Sequence, residues 1–194
     1  MMSIWEVTAV ILALAYLVLA IKQSLWCWVA AFFSTLIYSV LFFDVSLLMD
    51  SALNIYYLIM AIYGWFSWKY GTSLEKNKEL QISSYKFFTH IKIIVILSII
   101  SLVFGYIMAN YTSADFAYLD SVTTVFAVFT TYMLAKKVLE NWIYWIIIDA
   151  ASIYIYIYKG FYLTALLFAF YTILAFVAYK KWKVEYETYN SKIS

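Results

Sequence analysis

The sequence contains no proline and no arginine, and it has one cysteine, one histidine and four glycines among 194 residues. All positive charges are therefore lysines, so the chain lacks the planar guanidinium that binds phosphates through two parallel hydrogen bonds. The net charge of +2 is also too small to indicate a nucleic-acid partner. Because the single Cys27 can form no internal disulfide, the cysteine count leaves the redox compartment open.

Motifs for catalysis and metal binding are missing as well. One histidine and one cysteine cannot form a compact Cys/His metal cluster. The sequence has no H-E-x-x-H, no G-x-S-x-G and no glycine-rich phosphate loop. An enzyme would have to depend on His90, and we expect no carboxylate partner near it. We therefore predict that the protein is not an enzyme and holds no cofactor or metal.

Apolar and aromatic residues are in large excess. The chain is 66% hydrophobic and 12% charged, with a mean hydropathy of +0.86. Soluble domains are about 45–50% apolar and about 25% charged. The apolar runs are continuous and do not alternate as in membrane barrels. In lipid a continuous run must be helical to satisfy its backbone, so we predict an all-α membrane protein.

Seven apolar runs are each close to the roughly 20 residues that cross a bilayer. We assign the segments between the spans alternately to the two sides of the membrane. Lys159 is then the one lysine on one side, and the other twelve lysines lie on the opposite side. Cytoplasmic loops carry the lysine excess, which predicts an outer N-terminus and an inner C-terminus in a bacterial cytoplasmic membrane. The predicted spans are Ile4–Ile21, Leu25–Phe43, Leu47–Trp68, Ile93–Ala109, Phe116–Ala135, Trp142–Tyr158 and Phe161–Tyr179.

An internal repeat appears when the chain is shifted by 114 residues without a gap. Ten identities fall in Trp5–Lys69, about twice the chance number for this composition. The shift predicts a 3+1+3 arrangement of the seven transmembrane helices: a first three-helix repeat (1–69), a cytoplasmic linker with helix four (70–110), and a second repeat with a cytoplasmic tail (111–194). Because helix four inverts the chain, the repeats are parallel, and a substrate site is expected between them near the midplane. The aligned landmarks are Lys22 with Lys136, Trp28 with Trp142, Tyr57 with Tyr171, and Trp68 with Trp182.

Polar residues in three spans outline a candidate site. Asp149 lies near the centre of span six, where a carboxylate costs about 2.5–3.5 kcal/mol on insertion scales. Helical spacing puts polar and aromatic side chains on one face of each of these spans, which suits an enclosed site for a neutral or cationic ligand that forms hydrogen bonds. The faces comprise Trp142, Trp145, Asp149, Ser152 and Tyr156 in span six, Asp50, Asn54, Tyr57, Gly64 and Trp68 in span three, and Ser121, Thr124 and Thr131 in span five.

Each of these assignments has a structural alternative. Asp149 and Asn54 could form hydrogen bonds between helices. Trp142 and Trp182 lie near span ends and could anchor the chain at the interface. The threonines of span five could bond to their own helix backbone, and Asp50 could be solvated at the outer surface.

The run Leu134–Gly160, LAKKVLENWIYWIIIDAASIYIYIYKG, resembles the signature region of the PnuC-type nicotinamide riboside transporters. The shared features are the lysine after span five, an acidic residue, the W-x-x-W pair and Asp149. The segment Ile62–Trp68 and the closing Trp182 also resemble the family. The resemblance covers nearly the whole chain.

The resemblance implies a fold similar to that of SWEET sugar transporters and facilitated diffusion of nicotinamide riboside into the cytoplasm. It also implies a homotrimer and trapping of the substrate by a cytoplasmic riboside kinase. SWEET relatives use prolines as hinges, so hinges are expected elsewhere in this chain, at Gly64 or Gly105. The open alternatives are another vitamin such as thiamine or riboflavin, a sugar, or a membrane subunit that transports nothing. The candidate substrate-binding residues are Trp145, Asp149, Asn54, Tyr57, Trp142, Ser152, Thr124, Asp50 and Trp182.

Overall fold

The structure, a computed structural model, describes residues 4–44, 48–71, 80–112 and 116–192, and of residues 48–50 only the backbone. Within these ranges the chain forms seven helices, and each of them overlaps one predicted span over nearly the whole length of that span. The all-α fold class is confirmed. The helices are α1 (Ile4–Ile21), α2 (Trp26–Asp44), α3 (Leu48–Tyr70), α4 (Phe87–Tyr111), α5 (Ala117–Ala135), α6 (Asn141–Tyr158) and α7 (Tyr162–Ser191).

Five of the helices in the described ranges are long and apolar enough to cross a membrane: α1, α2, α4, α5 and α7. The protein is therefore a multi-pass membrane protein. Helix α6 is less apolar because it combines Asn141 and Asp149 with four tyrosines. Crossing by all seven helices stays a prediction.

Two helices are longer than the predicted spans. α4 begins at Phe87 instead of Ile93, and α7 continues past Tyr179 to Ser191. Hydropathy ends a span at its first charged residues, whereas a helix needs only its own backbone hydrogen bonds. The 30 residues of α7 measure about 45 Å, longer than the hydrocarbon core of about 30 Å.

The chain divides into two compact units. Unit 1 contains α1, α2 and α3 with the short segment Leu134–Lys137, and unit 2 contains α4 to α7. In unit 1, α2 packs against both α1 and α3. Hydroxyl groups join these helices, since Ser34 donates to the carbonyl of Ala9 (2.9 Å) and Ser51 to that of Ser39 (2.8 Å). The three-part division drawn from the sequence stays a prediction.

Each unit contains one buried tryptophan pair. In unit 1 the rings of Trp28 and Trp68 meet edge to face, with centroids 5.3 Å apart and planes at 86°. In unit 2 Trp142 and Trp182 meet at 5.4 Å and 85°. All four side chains are at most 2% exposed. The interpretation of Trp142 and Trp182 as interfacial anchors is therefore wrong, because each ring fills a core position.

The turns before α2 and α6 also share one geometry. Gln23 and Lys137 have φ angles of 53° and 50°, the left-handed conformation that commonly ends a helix. Residues 114 positions apart thus end α1 and α5 in the same way. The closing hydrogen bonds run from Ser24 N to Leu19 O and from Val138 N to Met133 O, both 2.9 Å long.

Gly64 lies where α3 meets α2. A Cβ atom at this position would overlap the indole ring of Trp28, which is itself buried against Trp68. We expect Gly64→Ala to lower the free energy of unfolding by about 1–3 kcal/mol, because overpacking forces buried side chains to shift. Thermal unfolding in detergent measures this change.

The matched control combines Gly64→Ala with Trp28→Phe, which replaces the indole with a smaller ring and is expected to relieve the overlap. If Gly64→Ala alone unfolds at the wild-type temperature, the close packing of α2 and α3 is incorrect. The proposed hinge role of Gly64 and Gly105 stays a prediction. At Gly105 an added Cβ would meet the ring of Tyr118, so this glycine too permits close approach of neighbouring helices.

Candidate functional site

The predicted face of α6 is turned inward. Asp149 is 6% exposed, midway along the helix, and Trp142 and Ser152 are buried beside it. Trp145 is partly buried and packs against a buried cluster of unit 2 that includes Tyr144 and Ile148. A carboxyl group and two indole rings therefore line one inward face of α6.

The candidate hydroxyl groups of α6 and α5 are engaged by their own helices. Ser152 donates to the carbonyl of Ile148 at 2.9 Å. In α5, Ser121 and Thr131 donate to carbonyls four residues earlier, at 2.7 and 2.9 Å. The structural alternative for these hydroxyls is thus observed, although each oxygen can still accept a hydrogen bond. Thr124 is exposed, whereas Ser121 and Thr131 are buried, so the three hydroxyl groups do not share one environment.

The α3 candidates belong to unit 1. Asn54 and Tyr57 are partly buried, and the ring of Tyr57 lies 5.5 Å from that of Tyr56. The side chain of Asp50 lies outside the described residues. The grouping of these α3 residues with Asp149 into one site stays a prediction.

A second polar cluster, which sequence reasoning missed, surrounds His90 in unit 2. His90 Nδ1 lies 3.0 Å from the hydroxyl of Tyr144, and His90 Nε2 lies 3.8 Å from Glu140 Oε2. Glu140 also accepts hydrogen bonds from the hydroxyl of Ser84 and from the backbone N–H of Tyr85, the latter at 3.2 Å. The expectation that no carboxylate lies near His90 is wrong. The two residues are fifty positions apart, and no sequence signal joined them.

This cluster is structural in its geometry. Ser84 donates to Glu140 and not to His90, so it is not arranged as a histidine-activated nucleophile. The backbone N–H of Leu139 donates to the carbonyl of Ser83 at 2.8 Å. Together these bonds fasten the start of α4 to the turn before α6. Among the residues that the structure describes, no three His, Cys, Asp or Glu side chains are placed to hold a metal ion.

A groove of about 430 Å³ lies between α4, α5 and α6 in unit 2. Its walls are largely apolar and include Ile94, Phe126 and Ile147. Asp149 does not line it, so this groove is not the predicted site.

Comparisons with known proteins place the chain among vitamin transporters. Residues 3–184 match the family described as nicotinamide mononucleotide transporter. The nicotinamide riboside transporter PnuC of Escherichia coli is 23% identical over 170 residues, which cover 75% of this chain and 71% of that protein. The riboflavin/roseoflavin transporter RibM of Streptomyces davaonensis is 21% identical over 181 residues, covering 92% of this chain and 84% of that one.

The fold agrees with these matches. The crystal structure of the vitamin B3 transporter PnuC superposes with a TM-score of 0.71 at 17% identity, covering 95% of this chain and 82% of that chain. The resemblance inferred from the W-x-x-W segment is thereby confirmed. The chain belongs to the nicotinamide mononucleotide transporter family.

Proposed function

We propose that the protein carries nicotinamide riboside into the cytoplasm by facilitated diffusion. The observation that carries this proposal is the buried Asp149 beside Trp145 on the inward face of α6. Nicotinamide riboside is a permanent cation with an aromatic pyridinium ring and a ribose. A carboxylate offsets its charge, and an indole ring adds about 0.5–2 kcal/mol of cation–π attraction.

No energy source beyond the gradient is required for entry of a cation. An inside-negative membrane potential favours inward movement of one positive charge by about 2.3 kcal/mol per 100 mV. A uniporter therefore accumulates the cation to some extent, and a cytoplasmic riboside kinase would trap it. The lysine distribution along the chain supports an outer N-terminus, so that entry is from the side of Lys159.

We further propose that α1 to α3 and α5 to α7 are parallel repeats joined by α4. The resemblance to the family also suggests that the protein is a homotrimer. Support comes from landmarks 114 residues apart. The two tryptophan pairs have nearly equal geometry, and Gln23 and Lys137 share one backbone conformation. In such a fold, alternating access is a rocking of one triplet against the other.

Riboflavin is the second candidate substrate, because RibM matches a larger share of this chain than PnuC of Escherichia coli does. Riboflavin is uncharged and larger than nicotinamide riboside. It gains nothing from the charge of Asp149, so the two substrates differ in their expected dependence on that residue.

Ligand-dependent thermal stability of the purified protein in detergent tests the proposal. We expect nicotinamide riboside to raise the unfolding temperature, because a ligand that binds only the folded state adds about 2.7 kcal/mol at a hundredfold excess over its Kd. Nicotinamide, thiamine, riboflavin and glucose are the comparison solutes. If riboflavin alone raises the unfolding temperature, riboflavin is the substrate instead of nicotinamide riboside. If no solute raises it, the result favours a membrane subunit that transports nothing. Uptake of labelled nicotinamide riboside by cells without their own transporter completes the test.

A further inference from the structure

Lys159 differs from the other lysines in its position and in its partner. It ends α6, and its Nζ lies 3.6 Å from Asp120 Oδ2 in the first turn of α5. Both side chains are about 30% exposed, so the protein does not enclose the pair. The charge pair therefore lies at the outer end of unit 2 in the predicted topology, opposite the lysine-rich end.

The surrounding residues hold this pair in place. Lys159 Nζ lies 5.7 Å from the ring centre of Phe116, whose ring meets that of Tyr158 edge to face at 4.9 Å. Gly160 adopts a positive φ of 78° directly after Lys159, which turns the chain sharply at the end of α6. The ammonium thus lies close to Asp120, in the first turn of α5, and to Phe116, directly before that helix.

The other charges that the span count assigns to this side are negative. Glu6 lies at the start of α1 and Asp44 at the end of α2, while Asp115 lies outside the described residues. Lys159 is the one lysine on that side. Unpaired, it would add a positive potential where a cationic substrate approaches, and charges at the rim of a binding surface act mainly on the rate of association.

We propose that Asp120 is a specificity-determining residue that neutralises Lys159 and so keeps the entry side attractive to a cation. The inference rests on the proposed function, because it requires a cationic substrate that enters from this side. A purely structural ion pair is the competing explanation, although exposed pairs contribute little to stability. The two explanations differ in the sign of the effect of each single substitution.

The test is uptake of nicotinamide riboside, below saturation, by cells that lack their own transporter, in sucrose buffer of low ionic strength. We expect Asp120→Asn to lower the initial rate about twofold and Lys159→Gln to raise it about twofold. This is the effect of one unit charge on a cation that passes at a distance of about 10 Å in water. The double variant and Asp120→Glu are expected to match the wild type. All differences should vanish near 1 M salt, where the Debye length is about 3 Å.

The protein level in the membrane and the unfolding temperature of each variant are measured in parallel, so that rates are compared per folded molecule. Loss of uptake in both single variants, or equal effects at low and high salt, would overturn the role of Asp120. Absence of nicotinamide riboside uptake by the wild-type chain would overturn the proposed function itself, and this inference with it.

Discussion

Replacement of Asp149 by asparagine is expected to weaken the binding of nicotinamide riboside at least tenfold, which corresponds to about 1.4 kcal/mol. Asparagine has nearly the same shape as aspartate but carries no charge. The buried carboxyl group lies on the inward face of α6, one helical turn from Trp145, so we expect the loss to fall on the electrostatic part of the binding energy. Titration calorimetry of the purified protein measures the change directly.

The control is Ser152→Ala, one helical turn from Asp149 on the same face. The hydroxyl of Ser152 already donates to the carbonyl of Ile148, so we expect less than a threefold change in affinity, under about 0.7 kcal/mol. If a folded Asp149→Asn variant binds with wild-type affinity, the proposed electrostatic role of Asp149 is wrong. If the variant loses stability and no vitamin shifts its unfolding temperature, Asp149 is a structural hydrogen-bonding residue and the subunit interpretation gains support.

The helices could be predicted from the sequence because each apolar run has one backbone solution in lipid. All seven runs overlap helices over nearly their whole length, and the larger errors are at the charged ends of α4 and α7. At these ends the apolar run stops before the helix does. His90 and Lys92, for example, lie inside α4 although they precede the apolar run.

The roles of single side chains were harder to predict. Trp142 and Trp182 lie near span ends, where hydropathy alone favours an interfacial anchor, yet they form a buried pair. The repeat alignment of Trp142 with Trp28 and of Trp182 with Trp68 agrees better with the structure, because both tryptophan pairs are buried. Proximity of Glu140 to His90 depends on how α4 packs against α6, and no local pattern encodes such packing.

A large loss of stability is expected for Trp182→Ala, which removes a side chain with 0% exposure. Deleting a buried tryptophan costs about 3–5 kcal/mol, from lost transfer free energy and the cavity left behind. The edge-to-face contact with Trp142 at 5.4 Å is lost as well. Thermal unfolding in detergent, monitored by the fluorescence of the remaining tryptophans, measures the change.

Trp68→Ala is the matched variant in unit 1 and is expected to cost at least as much. Its Nε1 donates to the carbonyl of Leu134 at 3.2 Å, and Lys137 Nζ lies 4.6 Å from its ring centre. The control is Trp5→Ala, since Trp5 is 63% exposed and exposed positions usually change stability by less than about 0.5 kcal/mol. Because the 114-residue shift aligns Trp68 with Trp182, similar losses would support the proposal that the two triplets have equivalent cores. A loss for Trp182→Ala as small as that for Trp5→Ala would contradict the buried pair and weaken the repeat proposal that depends on it.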